Sequence, residues 1–210
     1  KLYNKLAANF NLPDSGSRQA IDTIRIDSIL LYRKFNYLSA KVVANAVTSQ
    51  SNFLVLQSVN VPKMRVGMGI VDPNNSVVGV VTDVSGEYAV VMSLLHKDSK
   101  ISGKLLKTGE TGTITWDGKY PNLVTLTGIP KSTKVVKGDS VITSGFSTIF
   151  PKGLLLGRVD EVYLEKSTNN FRIIVRTAAN FNNLEYAYAI DNVQQQEINK
   201  LLEKAKNISK

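Results

Sequence analysis

His96, Asp117 and Ser140 stand in the chain order of a chymotrypsin-type triad, and Gly138-Asp139-Ser140 begins like the nucleophile turn of such proteases. Acyl transfer by a serine hydroxyl needs a base within hydrogen-bond reach and backbone donors for the oxyanion. His96 is the only histidine, and Ser140 is followed by Val141-Ile142-Thr143, a strand sequence where protease signatures continue with glycines. A chymotrypsin-like serine hydrolase is therefore an alternative reading, and neither Ser140 nor Ser144 has an evident base. Glu161 and Glu165, flanking Tyr163 on one face of a strand, have the residue types of a glycosidase pair, but alternation with Val162 and Leu164 is what any half-buried strand shows. One histidine, no cysteine and dispersed carboxylates offer no metal-ligand cluster, and each Gly-rich turn leads to a strand rather than to the helix N-terminus a phosphate needs. The expectation is no catalytic residue, no metal and no cofactor.

Binding chemistry is better represented. Phe146, Ile149, Phe150, Leu154 and Leu155 place more large apolar residues in a Gly/Pro-rich hairpin than a solvated turn needs, so they are candidates for a partner-facing patch as well as for core. The net charge of +9 and pI near 9.6 would attract polyanions, which makes a polyanion-binding module a further alternative. Lysines and arginines are nevertheless interleaved with acidic residues, with no basic run longer than a pair and no aromatic-basic motif of the RNA-binding kind, so nucleic acid is not expected as a partner. The 210 residues are enough for one large or two small cores. No apolar run approaches the roughly 18 residues of a membrane-spanning helix, and no signal peptide opens the chain.

The elements that must carry these residues are mostly strands. Short runs rich in Val, Ile, Thr and aromatics predict strands near 38–47, 53–59, 69–71, 77–84, 87–95, 101–106, 111–115, 122–127, 140–143, 154–164, 171–177 and 185–190, divided by Gly, Pro, Asn and Asp. With no helix-length periodic segment between them, this is an all-β sandwich or barrel pair. An internal repeat favours two barrels: Gly67 aligns with Gly138, Ile70 with Val141 and Gly79 with Gly157. Before these strands, Leu2, Leu6 and Phe10 share a helix face that could extend a self-associating coiled coil, and 18–37 reads as extended or irregular. After them, Ile198, Leu201, Leu202, Ala205 and Ile208 form the stripe of a short terminal helix, expected to pack on the barrels or fray. The domains are thus 1–37 (end of a coiled coil and linker), 38–110 and 111–190 (two barrels) and 191–210 (tail helix).

The order GD-x-V-x-TSG-x-S-x-x-FP-x-G-x-x-x-G-x-V from Gly138 to Val159 resembles the carboxy-terminal signature of the MreC family of rod-shape-determining proteins. Ser39–Asn45, Gly67-Met68, Val77–Val81, Ser93-Leu94-Leu95 and Trp116-Asp117-Gly118 agree with it, over about residues 38 to 190. Val61-Pro62-Lys63-Met64-Arg65 departs from it, since family members usually carry glycines in a tight turn there. The resemblance implies two six-stranded β-barrels in tandem, in a chymotrypsin-like arrangement. It also implies a non-catalytic scaffold of cell-wall elongation at the extracytoplasmic (periplasmic) face of the bacterial inner membrane, anchored by a helix upstream of Lys1. The partners implied are a class B penicillin-binding transpeptidase, the membrane protein MreD and further copies of the chain.

Overall fold

The computed structural model describes residues 18–26 and 29–208. The stripe of Leu2, Leu6 and Phe10 lies outside the described residues. Six strands, β2 (Ile29–Asn45), β3 (Ser51–Gln57), β4 (Gly69–Val71), β5 (Val77–Ser85), β6 (Tyr88–His96) and β13 (Tyr186–Asn192), close a first barrel in the order β2-β13-β4-β5-β6-β3. Six more, β7 (Ile101–Leu105), β8 (Thr111–Thr115), β9 (Leu123–Pro130), β10 (Ser140–Thr143), β11 (Leu155–Leu164) and β12 (Asn170–Thr177), close a second in the order β10-β11-β12-β9-β8-β7. All pairings within both barrels are antiparallel. The expected pair of six-stranded barrels is therefore the fold.

Period-2 alternation decides which side chains fill each barrel. In β3, Asn52, Leu54 and Leu56 are buried while Ser51 and Phe53 face out; in β7, Ile101, Gly103 and Leu105 point inward. Closure removes the unpaired edges an open sheet would expose. One continuous cluster of buried residues runs from Leu54, Met68 and Leu94 in the first barrel to Ile114, Leu126 and Val175 in the second.

The internal repeat is a structural equivalence. Ile70 pairs with Gly79 across β4–β5, and Val141 pairs with Gly157 across β10–β11, each followed at once by a register shift. The Gly67 N–H donates to Val81 O (2.8 Å) and the Gly138 N–H to Val159 O (2.7 Å), with φ of +88° and +89°, a region that glycine alone enters freely. The two hairpins also touch, through a parallel bridge between Ser76 and Leu155 and a hydrogen bond from Leu155 N–H to Asn75 O.

Two boundaries differ from the sequence expectation. Strand β7 pairs with β8 and β10, so the second barrel begins at Ile101 rather than at 111. Strand β13, which the division at 111–190 leaves with the second barrel, crosses back to complete the first between β2 and β4. Residues 18–26 and 29–37, expected to be extended or irregular, are extended and paired: β1 (Arg18–Ile26) runs antiparallel to the start of the 17-residue strand β2, forming a hairpin that extends from the first barrel. The terminal helix α1 (Gln195–Ile208) follows β13.

Candidate partner-binding surface

The β10–β11 connection, residues 144–154, is a long loop folded back on the junction between the barrels. Thr143 anchors both of its ends: its hydroxyl donates to Pro151 O (2.6 Å) and accepts from the Leu154 N–H (3.0 Å). Serine hydroxyls shape the turns within it, Ser144 Oγ accepting from Phe146 N–H and Ser147 Oγ from Ile149 N–H. Asn192 at the end of β13 donates to Thr148 O (2.9 Å), and Thr148 Oγ1 lies 3.2 Å from Asn199 Oδ1 on α1. At the start of α1, Gln195 donates to Gly67 O (3.2 Å). Loop and helix therefore brace one another, and both reach the first barrel.

This geometry divides the five hairpin candidates. Phe150 and Leu154 are buried, at 2% and 7% exposure, and Ile149 and Leu155 are half-buried. Phe150 is not a surface anchor, because Gly69 on β4 lacks the side chain that would otherwise occupy its place: a Cβ on Gly69 would stand 2.3 Å from Phe150 Cε1. Only Phe146 projects, with 80% of its surface exposed. Around the same junction lie exposed apolar residues that the hairpin motif did not indicate: Val66 beside Gly67, Val193 before α1, and Leu201 and Leu202 on α1. The helix stripe is legible in the sequence, where it reads as packing on the barrels or fraying rather than as docking. Here α1 is held by Gln195 and Asn199 while Leu201 and Leu202 face solvent.

The hydrolase constellation is not assembled. His96 is buried at the end of β6 in the first barrel, with Nδ1 accepting the Asp98 N–H (3.1 Å) and its ring edge-on to Phe53 at 4.9 Å. Asp117 lies in the β8–β9 loop, where it accepts the Lys119 N–H, and Ser140 Oγ on β10 receives Arg158 Nη1 (3.2 Å). Ser144 Oγ is paired with Ser102 Oγ at 2.8 Å. Among the described residues no group of three or more His, Asp or Glu is placed to hold a metal ion, and no helix is long and apolar enough to cross a membrane.

Electrostatics at the inter-barrel turn centre on Asp72, where Oδ1 accepts the N–H groups of Asn74 (2.9 Å) and Ser76 (2.7 Å). Burial raises its carboxyl above the ordinary value, an effect those two N–H groups only partly offset. At the foot of the candidate surface Arg65 forms an ion pair with Asp191 of β13.

Residues 42–191 match the family described as "Rod shape-determining protein MreC, barrel core". A curated relative, the cell shape-determining protein MreC of Listeria monocytogenes, is 24% identical over 157 residues, covering 73% of this chain and 53% of its own length. The chain thus spans about half the length of that relative. Among solved structures, MreC from Listeria monocytogenes superposes with a TM-score of 0.68 at 21% identity, covering 91% of this chain and 84% of that one. MreC in the complex between penicillin-binding protein PBP2 and MreC from Helicobacter pylori superposes with a TM-score of 0.60 at 18% identity, covering 75% and 98%. The twin closed barrels, the repeated hairpin and the match along most of its length place this chain in the MreC family of rod shape-determining proteins.

Proposed function

We propose that this chain is a non-catalytic scaffold of cell-wall elongation that binds a class B penicillin-binding transpeptidase through the surface centred on Phe146. The observation that carries the reading is the exposure of Phe146, in a loop whose other aromatic residue is buried, on a fold shared with an MreC solved in complex with a penicillin-binding protein. An exposed phenylalanine in a loop braced to a helix that exposes Leu201 and Leu202 has the composition of an interface centre, where a few apolar anchors hold most of the energy. Activation would follow by population shift: the scaffold must bind the working conformer of the synthase more tightly than the resting one. The same reading places the barrels on the periplasmic side of the inner membrane, tethered by a helix upstream of this segment, with MreD and further copies of the chain as additional partners.

The test uses the purified periplasmic domain of the transpeptidase from the same organism and surface plasmon resonance. Phe146→Ala should weaken binding by about thirtyfold, the equivalent of about 2 kcal/mol, while the melting temperature stays within a degree or so of wild type. Binding by the wild type that Phe146→Ala leaves unchanged would move the interface elsewhere, and no binding by the wild type would sink the scaffold reading. A fluorophosphonate probe should leave Ser140 and Ser144 unlabelled; labelling at Ser140 that His96→Ala abolishes would restore the hydrolase.

A further inference from the structure

A groove of about 310 Å3 runs along the outer face of the second barrel, away from the β10–β11 loop, and no step of the partner reading uses it. Its lining sets two half-buried apolar residues, Leu123 on β9 and Ile174 on β12, among polar and charged side chains. Its walls are two tyrosines, Tyr120 and Tyr163, exposed by 60% and 50%. Tyr163 is fixed on β11 opposite Arg172 of β12, and its hydroxyl donates to the Glu161 carboxylate. Tyr120 belongs to the β8–β9 loop, which is held down by the buried Trp116, whose indole N–H donates to Tyr120 O (2.8 Å). Both rings therefore stand on supported backbone.

The rim is charged but internally compensated. Asp160 meets Lys137 Nζ at 2.9 Å and Arg176 Nη2 at 2.8 Å, and Asp117 stands 4.0 Å from Arg172 Nη2. With Asp160, Asp117 and Arg172 each answered by an opposite charge, a polyion has less to gain from them, whereas a neutral ligand rich in hydroxyls finds carboxylate acceptors, Glu161 among them, next to guanidinium and ammonium donors, Lys119 among them. Two tyrosines beside apolar Leu123 and Ile174, with polar groups around them, match the alternating C–H and O–H surfaces of a pyranose ring, and a volume near 300 Å3 is at the small end of ligand-sized sites. We propose that this groove binds a neutral oligosaccharide between Tyr120 and Tyr163.

The experiment titrates the protein with N-acetylglucosamine tetrasaccharide and, separately, with cellotetraose, following amide shifts by NMR and heats by calorimetry. Saturable binding of at least one sugar is expected, with shifts confined to 117–125 and 160–174. Tyr120→Ala and Tyr163→Ala should each weaken it by roughly tenfold, while Tyr88→Ala, removing an exposed tyrosine of the first barrel, leaves it unchanged. Melting curves establish that each variant is folded. Absence of saturable binding at millimolar sugar, or binding that survives both groove substitutions, overturns the proposal. Transpeptidase binding is read in a separate assay, so either idea can fail alone.

Discussion

Phe150 of the second barrel lies against the Cα of Gly69 in the first, so closely that a methyl group on Gly69 would meet its ring at 2.3, 2.6 and 2.9 Å. The contact ties the β10–β11 loop to β4 and makes the inter-barrel junction part of the core. Gly69→Ala should destabilise the protein by about 1–3 kcal/mol through overpacking, and Phe150→Ala by about 3–5 kcal/mol through the cavity left behind. In the double variant the new methyl group occupies part of that cavity, so the combined loss should be smaller than the sum. Chemical denaturation of the four proteins measures the coupling, and additive losses would refute the contact as described.

Gly79 and Gly157 occupy the same position in the two hairpins, each against a carbonyl of the neighbouring strand: a Cβ would stand 2.3 Å from Met92 O or 2.1 Å from Arg176 O. Backbone in a closed barrel cannot yield as a flexible side chain does. Gly79→Ala and Gly157→Ala should therefore each cost about 3 kcal/mol or more, and to a similar extent. Thermal denaturation of both variants checks this; tolerance of alanine at either site would break the equivalence.

Asp72 gives a pH dependence with a definite sign. Its carboxyl is raised above 3.8 by burial, so the folded protein holds this proton more tightly than the unfolded chain. The ionised group costs stability above its folded pKa, and that cost fades as pH falls towards 3.8. Asp72→Asn keeps an oxygen to accept the Asn74 and Ser76 N–H groups while removing the charge, and should raise the melting temperature at pH 7. The gain should shrink to nothing near pH 4. A lower melting temperature for the variant at pH 7 would show that the charge strengthens those hydrogen bonds by more than burial costs.

How far each feature could be read depends on whether its information is local. Gly67, Gly79, Gly138 and Gly157 marked the repeat in sequence because each answers a backbone demand, a positive φ or a closely approaching carbonyl, that few other residues meet. Runs rich in Val, Ile, Thr and aromatics, divided by Gly, Pro, Asn and Asp, likewise marked most strands. The start of β2 and the whole of β1 could be read only as extended or irregular, because Ile24, Ile26, Leu30 and Tyr37 fit both a strand and a helix period. Barrel membership of β7 was misassigned because a strand sequence says that it will pair without naming the partner.

The hairpin candidates show the same division at the level of single residues. Sequence by itself determined the family signature, the strand-rich class and the presence of an apolar hairpin after β10. It could not separate Phe146 from Phe150, two phenylalanines four residues apart in one loop, one 80% exposed and the other 2%. That difference is decided 81 residues before Phe150, where β4 carries Gly69 and β13 returns to pair beside it, leaving a space that one ring fills and the other does not reach. Burial belongs to the assembled surface and not to the residue, so only the closed barrels, packed on each other, could say which aromatic is core and which is offered to a partner.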